Sequence, residues 1–151
     1  MKISLDTKEI LQSAVVGVMR QTENIKLGRV TNHGADPKDA WGLHVAGALA
    51  EMALAKALGV YWSGAHGFRS RDVLGYEVRT THHQNGRLIV HGDDDDEAKF
   101  ALVVGRDGTY DIPGWVYGYV AKSDDYWDDP CGGRPAYFVP QDHLNEFEKE
   151  S

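Results

Sequence analysis

A change of hydrophobic period near Gly59 limits this chain more than any other feature. Upstream, Ile10, Leu11, Ala14, Val15, Val18 and Met19 recur close to the i, i+3, i+4, i+7 spacing of one buried helical stripe. That spacing predicts a helix over residues 7–26, capped by Asp6 or Thr7, with Glu9 or Glu23 among its exposed polar positions. Gly28 and the Asn32-His33-Gly34 cluster end it. Asp36-Pro37 opens a second helix with an N-cap and a first-turn proline, and it runs to Leu58 before Gly59 stops it. Its middle is rich in alanine, and His44, Ala48, Glu51 and Ala55 share one face, so Glu51 projects over small neighbours.

Downstream of Gly59 the pattern becomes that of strands. Candidates are Phe68 to Val73, Tyr76 to Thr81, Arg87 to Val90, Phe100 to Val104, Trp115 to Val120 and Ala136 to Val139. Asn85-Gly86 and Asp107-Gly108 are turn signals, and Pro113-Gly114 reads as a break ahead of the Trp115 strand. Pro140 opens a short C-terminal helix containing Leu144 and Phe147. Helices, then strands, then a small helix make an α/β fold of the mixed α+β kind.

Composition removes several classes. At 151 residues, one domain can bury a core without disulfide or metal staples. The single cysteine, Cys131, permits no internal disulfide and no thiolate metal cluster, and reads as a bystander. No apolar run is long enough to cross a membrane, and MKISLDTKEI lacks the basic-then-apolar order of a signal peptide, so a cytoplasmic protein is expected. The net charge of −7, from 23 acidic and 16 basic residues, argues against a protein that coats nucleic acid through general electrostatics. It leaves nucleases open, because a bound Mg²⁺ reverses the local field.

The chemistry-bearing stretch is Asp72 to Thr81. Alternation puts Tyr76, Val78 and Thr80 on one face of a strand and Glu77, Arg79 and Thr81 on the other. A tight turn at Leu74-Gly75 would bring Asp72 beside Glu77. Hard divalent ions prefer clustered oxygen ligands, and a nearby cation can orient water or neutralise a phosphate. Asp72, Glu77 and Arg79 offer that set, with the Val78 carbonyl as an extra ligand and Glu51 completing or orienting the shell. Singly, each has a plainer reading: a solvated strand pair, a strand end, the polar side of a helix. The four in this order carry the metal-site reading.

These residues resemble the PD-(D/E)xK, or restriction-endonuclease-like, nucleases. The matching parts are Gly47-Ala48-Leu49-Ala50-Glu51 on the helix, then Asp72, then Glu77-Val78-Arg79-Thr80-Thr81, within roughly residues 36–120. The resemblance implies a central mixed β-sheet flanked by helices, with the acids at one end. It implies Glu51 as the helix acid, Asp72 and Glu77 as metal-binding acids, and Arg79 at the usual lysine position. On that pattern the chain divides into an N-terminal helix (7–26), a nuclease-like core (36–120) and a C-terminal loop, strand and helix (121–151). The implied activity is phosphodiester hydrolysis with Mg²⁺ or Mn²⁺, on DNA rather than RNA. Two residues depart from the pattern: Arg71 stands before Asp72 where proline is usual, and Arg79 replaces lysine. Arginine stays protonated and cannot act as a general base. The alternative is therefore a non-catalytic nucleic-acid- or protein-binding module on the same fold, such as an accessory or inhibitor protein; a third is a structural or assembly protein.

Secondary candidates surround this stretch. By alternation His83 joins the Glu77 and Arg79 side, and Gln84 and Arg87 flank a turn that could reach a nucleic-acid backbone. The run Asp93-Asp94-Asp95-Asp96-Glu97 lacks the spacing of an EF-hand and reads as a solvated acidic turn away from the substrate path. Trp115, Tyr117 and Tyr119 share one strand face under a helix, and Tyr126-Trp127 sits in an acidic loop, as a lid, a partner patch or a stacking platform. A homodimer and a protein partner both remain open, and no dimer element is legible.

Overall fold

One long helix packs on a face of a four-stranded sheet with a second long helix against it, and a smaller sheet covers the other face. The computed structural model describes residues 1–29, 39–64 and 72–148. In chain order the elements are β1 (Lys2–Ser4), α1 (Thr7–Leu27), α2 (Ala40–Leu58), β2 (Tyr76–Thr81), β3 (Leu88–Val90), β4 (Lys99–Arg106), β5 (Thr109–Tyr117), α3 (Gly118–Ala121), β6 (Trp127–Asp128) and β7 (Ala136–Val139). The larger sheet runs β1-β5-β4-β2, with β2 parallel to β4 and the other pairs antiparallel. The smaller sheet runs β3-β7-β6. The mixed α+β class thus holds, but α1 and α2 lie on one side only. Their core joins Leu49, Ala53 and Leu54 to Ala101, Val103, Tyr110 and Ile112. The opposite core joins Phe100, Leu102 and Val116 to Leu88, Val90 and Val139.

Helix α1 starts at Asp6, which accepts the Glu9 N–H at 2.9 Å while Glu9 accepts the Asp6 N–H at 2.8 Å, a reciprocal capping box. Of the predicted stripe, Ile10 and Ala14 pack against the core and the rest does not. Ser13, Gly17, Arg20 and Gln21 turn inward, whereas Leu11, Val15, Val18 and Met19 are exposed. Packing decides this outcome. A Cβ on Gly17 would stand 2.5 Å from the Val45 Cα, so α2 approaches α1 at a point where only glycine fits. Helix α2 ends at Gly59 in the left-handed conformation, as expected. The predicted start at Asp36-Pro37, and the Phe68 to Arg71 part of the first strand candidate, lie outside the described residues.

Three further expectations are corrected. The strand placed at Trp115 to Val120 begins at Thr109 and ends at Tyr117, because Pro113 is not a break. The register passes from Leu102 opposite Gly114 to Val104 opposite Asp111, so Val103 faces two residues. Proline, lacking an N–H, is tolerated in such a bulge. In place of the C-terminal helix, the chain makes one 3₁₀ turn at Gln141–His143 and then bonds Asn145 to Trp115 in both directions (3.0 and 2.8 Å).

Candidate functional site

The turn after Asp72 builds the site. Leu74 and Gly75 both take positive φ (44° and 81°), and Val73 and Tyr76 exchange backbone bonds of 3.1 and 2.7 Å around them. Such a two-residue turn matches the twist of the strands it joins. It folds Asp72 back along β2, where Asp72 Oδ2 accepts the Val78 N–H at 2.7 Å. Since β2 is the last strand of its sheet, Asp72 satisfies part of an open edge.

Glu51 approaches from α2 and is held by a residue the sequence analysis passed over. Arg20, on the inner face of α1, donates Nη1 to Glu51 Oε2 at 2.6 Å and Nη2 to Glu51 Oε1 at 2.9 Å. Arg20 Nη2 also donates to the Gly64 carbonyl at 3.1 Å, and Trp62 Nε1 donates to Glu51 Oε1 at 3.3 Å. Arg20 and Glu51 are 8% and 5% exposed, so this is a buried, bidentate pair. Burial lowers the proton affinity of the guanidinium, but the bond to Glu51 and the charges of Glu51, Asp72 and Glu23 outweigh it and hold the pKa above its usual value. Arg20 Nε is buried without a partner among the described residues.

The charges converge on Asp72. Burial pushes its pKa up to about 6, and the negative charges of Glu51 and Glu77 push the same way, against the Val78 N–H and the Arg20 charge. Of the sequence-predicted acids, Glu51 on its helix and Glu77 on β2 thus each stand within electrostatic reach of Asp72. Among the described residues, no three His, Cys, Asp or Glu side chains close into a group that could hold a metal as they stand.

Arg79, with Glu77 beside it, lies on the face of the sheet away from the helices. Its Nη2 pairs with Asp94 at 3.1 Å and stands 3.8 Å from Glu77, its Nε donates to the Ile89 carbonyl at 3.3 Å, and its guanidinium lies 4.9 Å from the Phe100 ring centroid. The acidic turn is therefore not remote from the motif strand. Asp94 also accepts the His91 N–H at 2.7 Å, and Lys122 binds the Gly92 and Asp94 carbonyls and the Asp96 carboxylate, which offsets the charge of the run.

The substrate-binding candidates His83, Gln84 and Arg87 lie in and just after the turn that follows β2. Strand β2 ends at Thr81, so the alternation does not reach His83; the His82 and His83 rings lie together, 4.2 Å apart. The Gln84 carbonyl accepts from Gln141 Nε2 at 2.8 Å. Arg87 pairs with Asp128 at 3.1 Å and lies over Phe138. Trp115, Tyr117 and Tyr119 do form one run of ring contacts, but Tyr119 belongs to α3 and is exposed. Lys99 sits against Tyr76, Trp115 and Tyr117, at 5.2 to 5.7 Å from their ring centroids. Sequence reasoning missed Arg20, Trp62 and Asp94. The one signal for Arg20 was a charge breaking an apolar helix at the spacing of Ser13 and Gly17. Compared with family models, curated proteins and solved structures, the chain matches none of them.

Proposed function

We propose that this chain is a divalent-metal-dependent nuclease that hydrolyses phosphodiester bonds, DNA rather than RNA, with Mg²⁺ or Mn²⁺ as cofactor. The observation that carries the reading is the gathering of Glu51 and Glu77 around Asp72, whose carboxyl they help push to about 6. A half-buried carboxylate held against other negative charges is unfavourable for folding and is a common mark of a functional site. The donors are all oxygen, which fits Mg²⁺ or Mn²⁺, and a bound cation would relieve the repulsion. Asp72 and Glu77, with the Val78 carbonyl, would hold the ion, which supplies polarisation of the scissile phosphate and activation of water. Glu51, with both oxygens engaged by Arg20 and one also by Trp62, acts as a fixed charge behind them. Arg79 keeps its proton and braces Glu77, so it is no general base. A cytoplasmic location accords with this reading; no helix among the described residues is long and apolar enough to cross a membrane.

The second reading is a binding module without catalysis, favoured by one observation: both cations near the acids, Arg20 and Arg79, are already engaged by carboxylates. One experiment separates the two. Purified protein is incubated with Mg²⁺ or Mn²⁺ and single-stranded, double-stranded or branched DNA, beside Asp72→Ala and Glu77→Ala variants whose folding is checked by circular dichroism. Metal-dependent cleavage lost in both folded variants supports the nuclease. No cleavage by the wild type, none gained by Arg79→Lys, and no Mn²⁺ binding by calorimetry refute it and favour the module.

A further inference from the structure

The outward face of α1 is an apolar seam that no other described element covers. Leu11, Val15, Val18, Met19 and Ile25 are 64%, 49%, 44%, 55% and 57% exposed. Leu11, Val15, Val18, Thr22 and Ile25 follow one another in alternating steps of four and three residues, the spacing of a coiled-coil seam. Met19 widens it. From Leu11 to Ile25 the seam carries no charge, and the charged residues of the helix fall at its ends or on its flanks, Lys8 and Lys26 among them.

We propose that this face binds α1 of a second copy in antiparallel orientation, giving a two-fold symmetric dimer. Area and symmetry argue for this occupant. The five apolar side chains leave on the order of 500 Å² exposed in one line, the size of the largest patch on a monomer (roughly 300–600 Å²), which is often a functional surface. A standard interface buries about 800 Å² per partner, with roughly 60% of it apolar, which this seam matches. A two-fold interface must also be self-complementary. Centred on Val18, Leu11 falls opposite Ile25 of the second copy and Val18 opposite Val18, while Val15 falls within one residue of Thr22. Gln12 then falls opposite Asn24, so no like charges face each other within the seam. The inner face of the same helix holds Glu51 through Arg20, so docking leaves the acidic site untouched. The inference does not depend on the nuclease reading.

Sedimentation equilibrium of the full chain across the micromolar range tests it. The wild type is expected at twice the 16.7 kDa chain mass. Val18→Asp sets two carboxylates against each other at the symmetry axis and should raise the dissociation constant by at least about a hundredfold. Its circular dichroism should be unchanged, since the side chain is exposed. In a Cys131→Ser background, Val18→Cys should oxidise to a disulfide-linked dimer. Leu11→Cys should not, because its copies would stand about 20 Å apart along the helices. A wild type of single mass throughout, including one that binds only a helix from another protein, overturns the proposal. So does a Val18→Asp variant that remains dimeric, and efficient Leu11→Cys cross-linking overturns the antiparallel pairing.

Discussion

Replacing Asp72 by Asn should make the protein more stable at neutral pH while removing a residue proposed to be essential. The Asp72 carboxyl is pushed from 3.8 to about 6 by burial and by Glu51 and Glu77. At about 1.36 kcal/mol per pKa unit, the charged carboxylate costs the native state about 3 kcal/mol once fully ionised. Below the unfolded value both states are protonated and the term vanishes. Between the two values the native state holds a proton that the unfolded chain has released, so stability falls as pH rises, reaching its full deficit above about 6. Asparagine removes the charge yet keeps an oxygen able to accept the Val78 N–H. Urea unfolding followed by tryptophan fluorescence should therefore show Asp72→Asn ahead of wild type by about 1–3 kcal/mol near pH 8, with the gap closing toward about pH 4. Added Mg²⁺ or Mn²⁺ should stabilise the wild type and leave the variant unchanged. If Asp72→Asn is equal to or weaker than wild type near pH 8, the carboxylates are not in conflict and the argument for a metal site fails.

Two stability predictions accompany it. Arg20→Ala leaves the Glu51 carboxylate buried without its cation and should cost about 3–5 kcal/mol in urea unfolding, whereas the double change Arg20→Met with Glu51→Leu should recover most of that loss. Gly17→Ala places a Cβ against the Val45 backbone and should cost about 1–3 kcal/mol, read as a lower thermal midpoint.

The elements with strong local signals were legible in the sequence. Gly59 ends α2, Leu74-Gly75 makes the turn, and the alternation of Tyr76 to Thr81 puts Val78 with the helices and Arg79 against Phe100. Where two apolar or two polar options competed, the sequence was silent. Helix α1 has two faces, one of large apolar residues and one of Ser13, Gly17, Arg20 and Gln21, and hydrophobicity selects the wrong one. What turns the second face inward is the close approach at Gly17 and the bond from Arg20 to Glu51, contacts 31 residues apart in the second case. Pro113 misled for a related reason: a bulge depends on the partner strand, which local pattern does not contain. The acidic run was read as free charge because Lys122 and Arg79, which neutralise it, are distant in sequence.

Arg79, which stands where the proposed nuclease pattern has lysine, then has a structural role independent of that proposal. Strand β2 lies at the edge of one sheet and β3 begins the other, with Asp94 in the turn beyond it. Arg79 reaches both: Nε to the Ile89 carbonyl, Nη2 to Asp94, while its plane rests over Phe100. A planar guanidinium with donors on separate nitrogens can make these contacts at once; a single ammonium has neither the fork nor the flat face. Lysine here would give up part of the tie between β2 and β3, and Asp94 would lose its matched partner. The residue that departs most from the nuclease pattern is therefore a bracing residue in this fold, placed on the face away from the helices. Any metal chemistry must rest on Asp72 and Glu77, with Glu51 held behind them by Arg20, and the decisive substitutions lie at the acids.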